Sequence, residues 1–235
     1  MFNVALAEFK MLLRNKLVAI SSIVVPLTIA AVFIYSQDRF GGSSITAALI
    51  TVMMVAMGVY VTATTTLAAR RQSLFLKKMR TTTLSDNSII AGLTLPIVLI
   101  NVIQIAIVLV VLAVIGKMPE NPHWVVIAVL SLELMYVALA LVTSAFSNSP
   151  EHAQVTTLPI LLLGMGVAFW VAVIDTEGNT LLNWALPGGA ATDLLIKGWE
   201  FAEVDDVLRM VGFSLLWVIV SFWIAKRSFR WEPRK

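Results

Sequence analysis

Six apolar stretches of roughly 20 residues, spanning 17–35, 44–69, 88–115, 124–146, 153–174 and 207–225, recur along 235 residues, with nearly all the charge held between them. Twenty such residues wound as a helix cross a hydrocarbon core of about 30 Å, and in lipid every backbone N–H and C=O needs a partner within the protein. The pattern therefore predicts an all-α membrane protein with six transmembrane helices in a single transmembrane domain over 1–235. With 59% apolar and 13% charged residues, the chain has no stretch left for a sizeable soluble domain. It has no cysteine, which removes disulfides and thiolate metal sites.

The flanks of these stretches predict further detail. Phe2, Leu6, Phe9 and Leu13 recur at helical spacing ahead of the first stretch. Residues 1–16 are read as an interfacial amphipathic helix, or alternatively as an extension of the first span. Lys10, Arg14 and Lys16 precede an apolar run longer than a signal-peptide core, and no clear small-residue cleavage site follows it, so this run is read as a retained span. The piece Leu181-Leu182-Asn183-Trp184-Ala185-Leu186-Pro187-Gly188-Gly189 is too short and interrupted to cross, and reads as an outer interfacial or re-entrant segment with Trp184 and Trp199 at headgroup level.

Charge chooses the orientation. Thirteen Lys and Arg fall on the side of the termini, in clusters around 10–16, 70–80 and 226–235, and the other four, Arg39, Lys117, Lys197 and Arg209, fall on the opposite side. By the positive-inside rule both termini and the 70–85 segment are expected in the cytoplasm. Asp175, Glu177, Asp193, Glu200, Glu203, Asp205 and Asp206 gather in one outer connection.

Enzyme chemistry finds little footing. There is no Gly-x-x-x-x-Gly-Lys-Ser/Thr phosphate loop and no His-Glu-x-x-His, and the two histidines, His123 and His152, are expected on opposite sides of the membrane. No Ser lies in a Gly-x-Ser-x-Gly setting. No catalytic residue, metal or cofactor bound by this chain is expected, nor a nucleic-acid partner.

A few polar groups lie within the apolar stretches. Glu133 is expected near mid-membrane, where a carboxylate is costly unless protonated, paired or hydrated, so it is either a functional site or a neutral group bonded to a neighbouring helix. Asn101 and Gln104 share one helical face, and either line a path or join helices. Met53, Met54 and Met57, among several threonines, either adapt to varied apolar cargo or simply pack. The candidate substrate path is Met53, Met57, Asn101, Gln104 and Glu133.

The segment Arg70-Arg71-Gln72-Ser73-Leu74-Phe75-Leu76-Lys77-Lys78-Met79-Arg80-Thr81-Thr82-Thr83-Leu84-Ser85 interleaves charge with apolar residues. Together with the amphipathic start, the six spans and the interrupted outer piece, it resembles the permease subunit of a type-2 ABC exporter. That family carries a stretch of the form Glu-Arg-x-x-Gly-Thr-Leu-Lys-x-Leu-Arg-x-Thr-Pro-Leu-Ser after its second span. Arg71, Leu74 to Leu76, Lys77 or Lys78, Arg80, Thr82 and Leu84-Ser85 match it, while Arg70, Ser73 and Thr83 stand where the family often has Glu, Gly and Pro. The tail Phe229-Arg230-Trp231-Glu232-Pro233-Arg234 is similar to that of drug-export permeases common in actinobacteria.

The resemblance implies a bacterial cytoplasmic-membrane exporter working as a dimer of permeases, identical or not, with two copies of a separate ATPase that holds ATP and Mg. It also implies that 70–85 is a coupling helix in which Arg71, Leu74, Phe75, Leu76, Lys77, Lys78, Met79, Arg80 and Thr82 dock that ATPase. The competing expectation for the segment is that it only marks the cytoplasmic side and meets anionic lipid. The cargo expected is amphiphilic or hydrophobic: a drug, antibiotic, peptide or lipid-like molecule. Two other functions fit the composition, namely an ion-gradient-driven transporter using Glu133 and a non-transporting membrane immunity or sensor protein.

Overall fold

A computed structural model describes residues 24–174, 180–201 and 203–231. The described residues are helical and contain no strand. Their elements are α1 (Val25–Tyr35), α2 (Ser43–Gln72), α3 (Phe75–Met79), α4 (Asp86–Ile115), α5 (Pro122–Ser144), α6 (Pro150–Ile174), α7 (Thr180–Ala185), α8 (Gly189–Trp199) and α9 (Val204–Ser228). Among them α2, α4, α5, α6 and α9 are long and apolar enough to cross a membrane. The expected interfacial helix 1–16 and the beginning of the expected first span lie outside the described residues. The described remainder of that span, α1, has 11 residues.

Local chemistry explains where the long helices begin. The Ser85 hydroxyl accepts the backbone N–H of Ser88 at 3.3 Å, and Asp86 follows in the first turn of α4. The side chain satisfies an otherwise unpaired donor, and the acid complements the positive end of the helix dipole. Ser149 caps α6 in the same way through His152 N–H at 3.2 Å, with Pro150 in the first turn. In α9 the acids Asp205 and Asp206 stand in the first turn and Lys226 and Arg227 in the last, as the dipole favours.

α5 is central, packing most extensively on α9, α8 and α2. One end of the bundle gathers the C-termini of α2, α5 and α9 with α3, and it carries the basic residues of 70–80. The opposite end gathers Ser43, Lys117, Asn121, Trp199 and Glu200, where the Ser44 hydroxyl donates to Glu200 Oε1 at 2.7 Å and Asn121 N–H to Gly198 O at 2.9 Å.

α8 shows how the outer tryptophans are held. It packs against α5, α2 and α9 and puts Trp199, Leu194 and Leu195 in the core. Trp184 and Trp199 are buried, and their indole N–H groups donate to Asp193 Oδ2 at 2.8 Å and Lys117 O at 2.6 Å. Each large ring contributes apolar area while its single donor is satisfied, which lets Trp go deep.

Apolar side chains also cover the outside. Ile103, Ile107, Val110 and Val114 of α4, Leu162 and Leu163 of α6, and Leu215, Leu216 and Ile219 of α9 are exposed. So large an apolar exterior calls for lipid or protein cover rather than water.

Close approach marks several glycines, Gly58 and Gly164 among them. A Cβ on Gly164 would lie 1.9 Å from the Tyr136 hydroxyl oxygen, and one on Gly58 would lie 2.0 Å from Asn101 Nδ2. Gly166 meets nothing within 4 Å. Gly164→Ala is therefore expected to destabilise the protein by about 1–3 kcal/mol through displacement of the stiff Tyr136 ring, while Gly166→Ala stays within about 0.5 kcal/mol of the parent. Thermal unfolding of the two detergent-purified variants checks this.

Candidate docking site and membrane interior

α2 does not stop at 69, where the apolar stretch ends. Ala68, Ala69, Arg70, Arg71 and Gln72 are all good helix formers, so the helix runs on and carries Arg71 inward. Arg71 is only 3% exposed. Its Nη2 donates to the carbonyl oxygens of Ser144 and Ser147 at the end of α5, and Nη1 donates to Arg230 O at 3.5 Å just past α9. The last carbonyls of a helix lack intrahelical donors and carry the negative end of its dipole, so a guanidinium with a planar fork of donors suits this place. The expectation that Arg71 docks a partner is corrected: its side chain is committed to the bundle.

After Ser73 the chain turns at Leu74, which has φ +57° and is the one non-glycine residue with positive φ among those described. The left-handed conformation costs an L-residue about 1–2 kcal/mol. It allows the short α3 to start at once in a new direction. Leu76 is fully buried against Leu67, Ile89, Leu93, Leu141 and Ala225. It anchors α3 to its own chain, a second correction to the docking set. Phe75 and Met79 are half-buried on the same cluster, so they too serve partly as internal packing.

The outward side of α3 is composed of Leu74, at 44% exposed, with Lys77, Lys78, Arg80 and Thr82. Thr82 donates its hydroxyl to Met79 O at 2.6 Å, closing the end of the helix. Arg70 lies over the Phe75 ring at 5.1 Å, and Arg80 pairs with Asp86 at 3.3 Å. That ion pair is half-exposed and contributes little to stability. The arrangement is a cationic rim around one exposed Leu on a helix fixed from beneath.

In the interior, Met53, Asn101, Gln104 and Glu133 are buried, whereas Met57 reaches the surface. Asn101 Nδ2 donates to Met54 O at 3.0 Å, bringing that residue onto the Met53–Met57 stretch of α2. There α2 widens to π geometry over Ala56–Val61, and Gly58 makes room for the Asn101 side chain. Asn101 therefore joins α4 to α2. Glu133 is 1% exposed, and neither carboxylate oxygen has a hydrogen-bond partner among the described residues. It shares no hydrogen bond with the other four candidates.

Other polar contacts had no strong signal in the sequence. The Tyr60 and Thr143 hydroxyls are 2.9 Å apart, and the Tyr60 ring tilts against Tyr136 with centroids 5.8 Å apart. At the opposite end a polar cleft of about 540 Å³ is lined by Gln37, Asp38, Ser43, Ser44, Lys117 and Glu200, among others. Nearby on α8, burial pushes the Asp193 carboxyl above its ordinary value, partly offset by the Trp184 N–H and Lys197. Among the described residues no three His, Cys, Asp or Glu side chains gather as a metal site. Comparison with protein-family models finds none that matches, and comparison with curated proteins finds no match.

Arg71→Gln is expected to cost about 2 kcal/mol or more, since it breaks charge-assisted bonds to three carbonyls. Arg71→Lys recovers only part of this, because a point charge cannot span the α5 and α9 ends together. Thermal unfolding in detergent measures both.

Proposed function

We propose that this chain is the membrane-spanning permease subunit of an ATP-driven exporter in the bacterial cytoplasmic membrane. It works with a second permease and with two copies of a separate ABC ATPase that bind ATP and Mg. The observation that carries the reading is α3: a short helix outside the long helices, rooted by Leu76 and presenting Leu74 within a ring of Lys77, Lys78 and Arg80. An apolar knob with a cationic rim suits a groove on a partner protein, and the left-handed Leu74 spends conformational energy on presenting that knob. The charge asymmetry supports a cytoplasmic position for this end. The apolar interior and exterior favour an amphiphilic or hydrophobic cargo.

The test uses the outward residues. Asp tolerates the left-handed conformation better than most side chains, so Leu74→Asp combined with Lys77→Glu inverts the chemistry at little backbone cost. Co-purification of a co-expressed ABC ATPase subunit that the parent chain captures is expected to fall at least about tenfold, a change of 1.4 kcal/mol. Undiminished capture by a variant that keeps its thermal stability sinks the docking reading.

Glu133 favours a second reading, transport driven by an ion gradient, because a buried acid with no hydrogen-bond partner among the described residues is suited to exchanging a proton or a cation. Glu133→Gln separates the two. The exporter reading expects ATP-dependent transport of neutral cargo to persist in vesicles, whereas the ion-driven reading expects transport to stop and its response to a pH gradient to vanish.

A further inference from the structure

We infer that the segment from Phe229 to Trp231 is a brace for α3, so that the surface offered at the basic end is built from two parts of the chain about 150 residues apart in sequence. The inference about docking rests on the exporter reading above, while the brace itself rests on geometry alone. α9 ends at Ser228, and Phe229 takes an extended conformation with φ −60° and ψ 135°. The chain is thereby directed away from the helix axis and across the end of the bundle. Three contacts fasten it there, and one within the segment stiffens it. Arg71 Nη1 donates to Arg230 O at 3.5 Å. Arg80 lies over the Trp231 ring, 5.0 Å from its centroid. Phe229 and Trp231 meet edge to face with centroids 5.1 Å apart. Both rings also pack on the small apolar cluster that holds Leu76, beside Phe75, Met79 and Leu84.

The physical need for such a brace follows from the shortness of α3. Five residues form little more than one turn, which cannot hold its own geometry in water without tertiary support. From below, Leu76 supplies one anchor. From the side, Trp231 supplies the second, by covering apolar surface and by attracting the Arg80 guanidinium to its π face. Arg80 is also drawn to Asp86. It therefore links the exit of α3, the start of α4 and the tail. With Arg71 reaching the same tail from the end of α2, two cations hold the flanks of α3 to one peptide segment. The side of α3 left for a partner protein is the Leu74, Lys77 and Lys78 side, whose complement is an apolar groove with acidic edges.

Hydrogen exchange and partner capture on the full chain test this. Trp231→Ala is expected to speed amide exchange over residues 76–84 about fivefold or more in detergent, with α5 unchanged. It is also expected to weaken capture of the co-expressed ABC ATPase. Trp231→Phe, which keeps a ring for Arg80, restores both. Arg80→Gln reproduces the exchange effect with the tail intact. Unchanged exchange over 76–84 in Trp231→Ala overturns the brace whatever the capture result. Faster exchange with full capture, when Leu74→Asp with Lys77→Glu abolishes capture, overturns the tail's role in docking while leaving the docking reading in place. If that double variant also captures fully, the exporter docking reading fails, and the exchange data still decide the brace.

Discussion

Everything at the basic end depends on how the ends of three helices dispose of their carbonyl groups. An apolar bundle has few side chains able to satisfy them, and an unsatisfied carbonyl there is expensive. Arg71 solves this by reaching from the last turn of α2 to Ser144, Ser147 and Arg230. One cation thus fixes α2, α5 and the chain after α9 in relation to one another. The position of α3 follows, because it departs from α2 only three residues beyond Arg71 and rests on side chains from the same three helices, including Leu67, Leu141 and Ala225.

The division of labour within 70–85 comes from that constraint. Charge and apolarity alternate along the segment, and both kinds of residue serve two ends. Arg71 and Leu76 face inward, while Leu74, Lys77 and Lys78 face outward. A helix of five residues needs such roots to keep its place, and here the roots reach the central α5 through Leu141 and Ser144. At the other end of the bundle α8 fills space between α2, α5 and α9, so the two ends are built on different principles. One is tied by a cation and backbone carbonyls, the other by buried indoles with a single hydrogen bond each and by the bonds of Ser44 to Glu200 and Asn121 to Gly198.

The long helices were readable in the sequence because each requires only an uninterrupted apolar run, whereas the caps Ser85 and Ser149, which set two of their starts, emerge only in the structure. Helix ends were less readable. The apolar stretch of α2 stops at Ala69, yet propensity and the carbonyls of α5 carry the helix to Gln72. Arg71 looked like a surface cation because composition cannot show that three carbonyls await it. The burial of Trp184 and Trp199 was not legible for a similar reason, since their acceptors, Asp193 and Lys117 O, are paired with them only by the fold. Asn101 was legible as one of two alternatives, and Gly58 together with Met54 O identifies a helix-joining role. Leu74 carries no warning in sequence, because its left-handed backbone is imposed by the angle between α2 and α3.

The π segment Ala56–Val61 has a bearing on how this chain can vary. A wider turn accommodates one residue more than an α-helical turn, so all that follows is rotated by about 100° relative to an unbroken helix. Ten residues beyond the end of that turn stands Arg71. Its aim at the end of α5 is therefore a matter of phase, set by a local count of residues near the middle of the bundle. Loss or gain of a single residue in 56–61 would swing the guanidinium about a quarter turn away from its carbonyls. The length of this stretch is consequently constrained as well as Gly58, whose missing side chain makes room for Asn101.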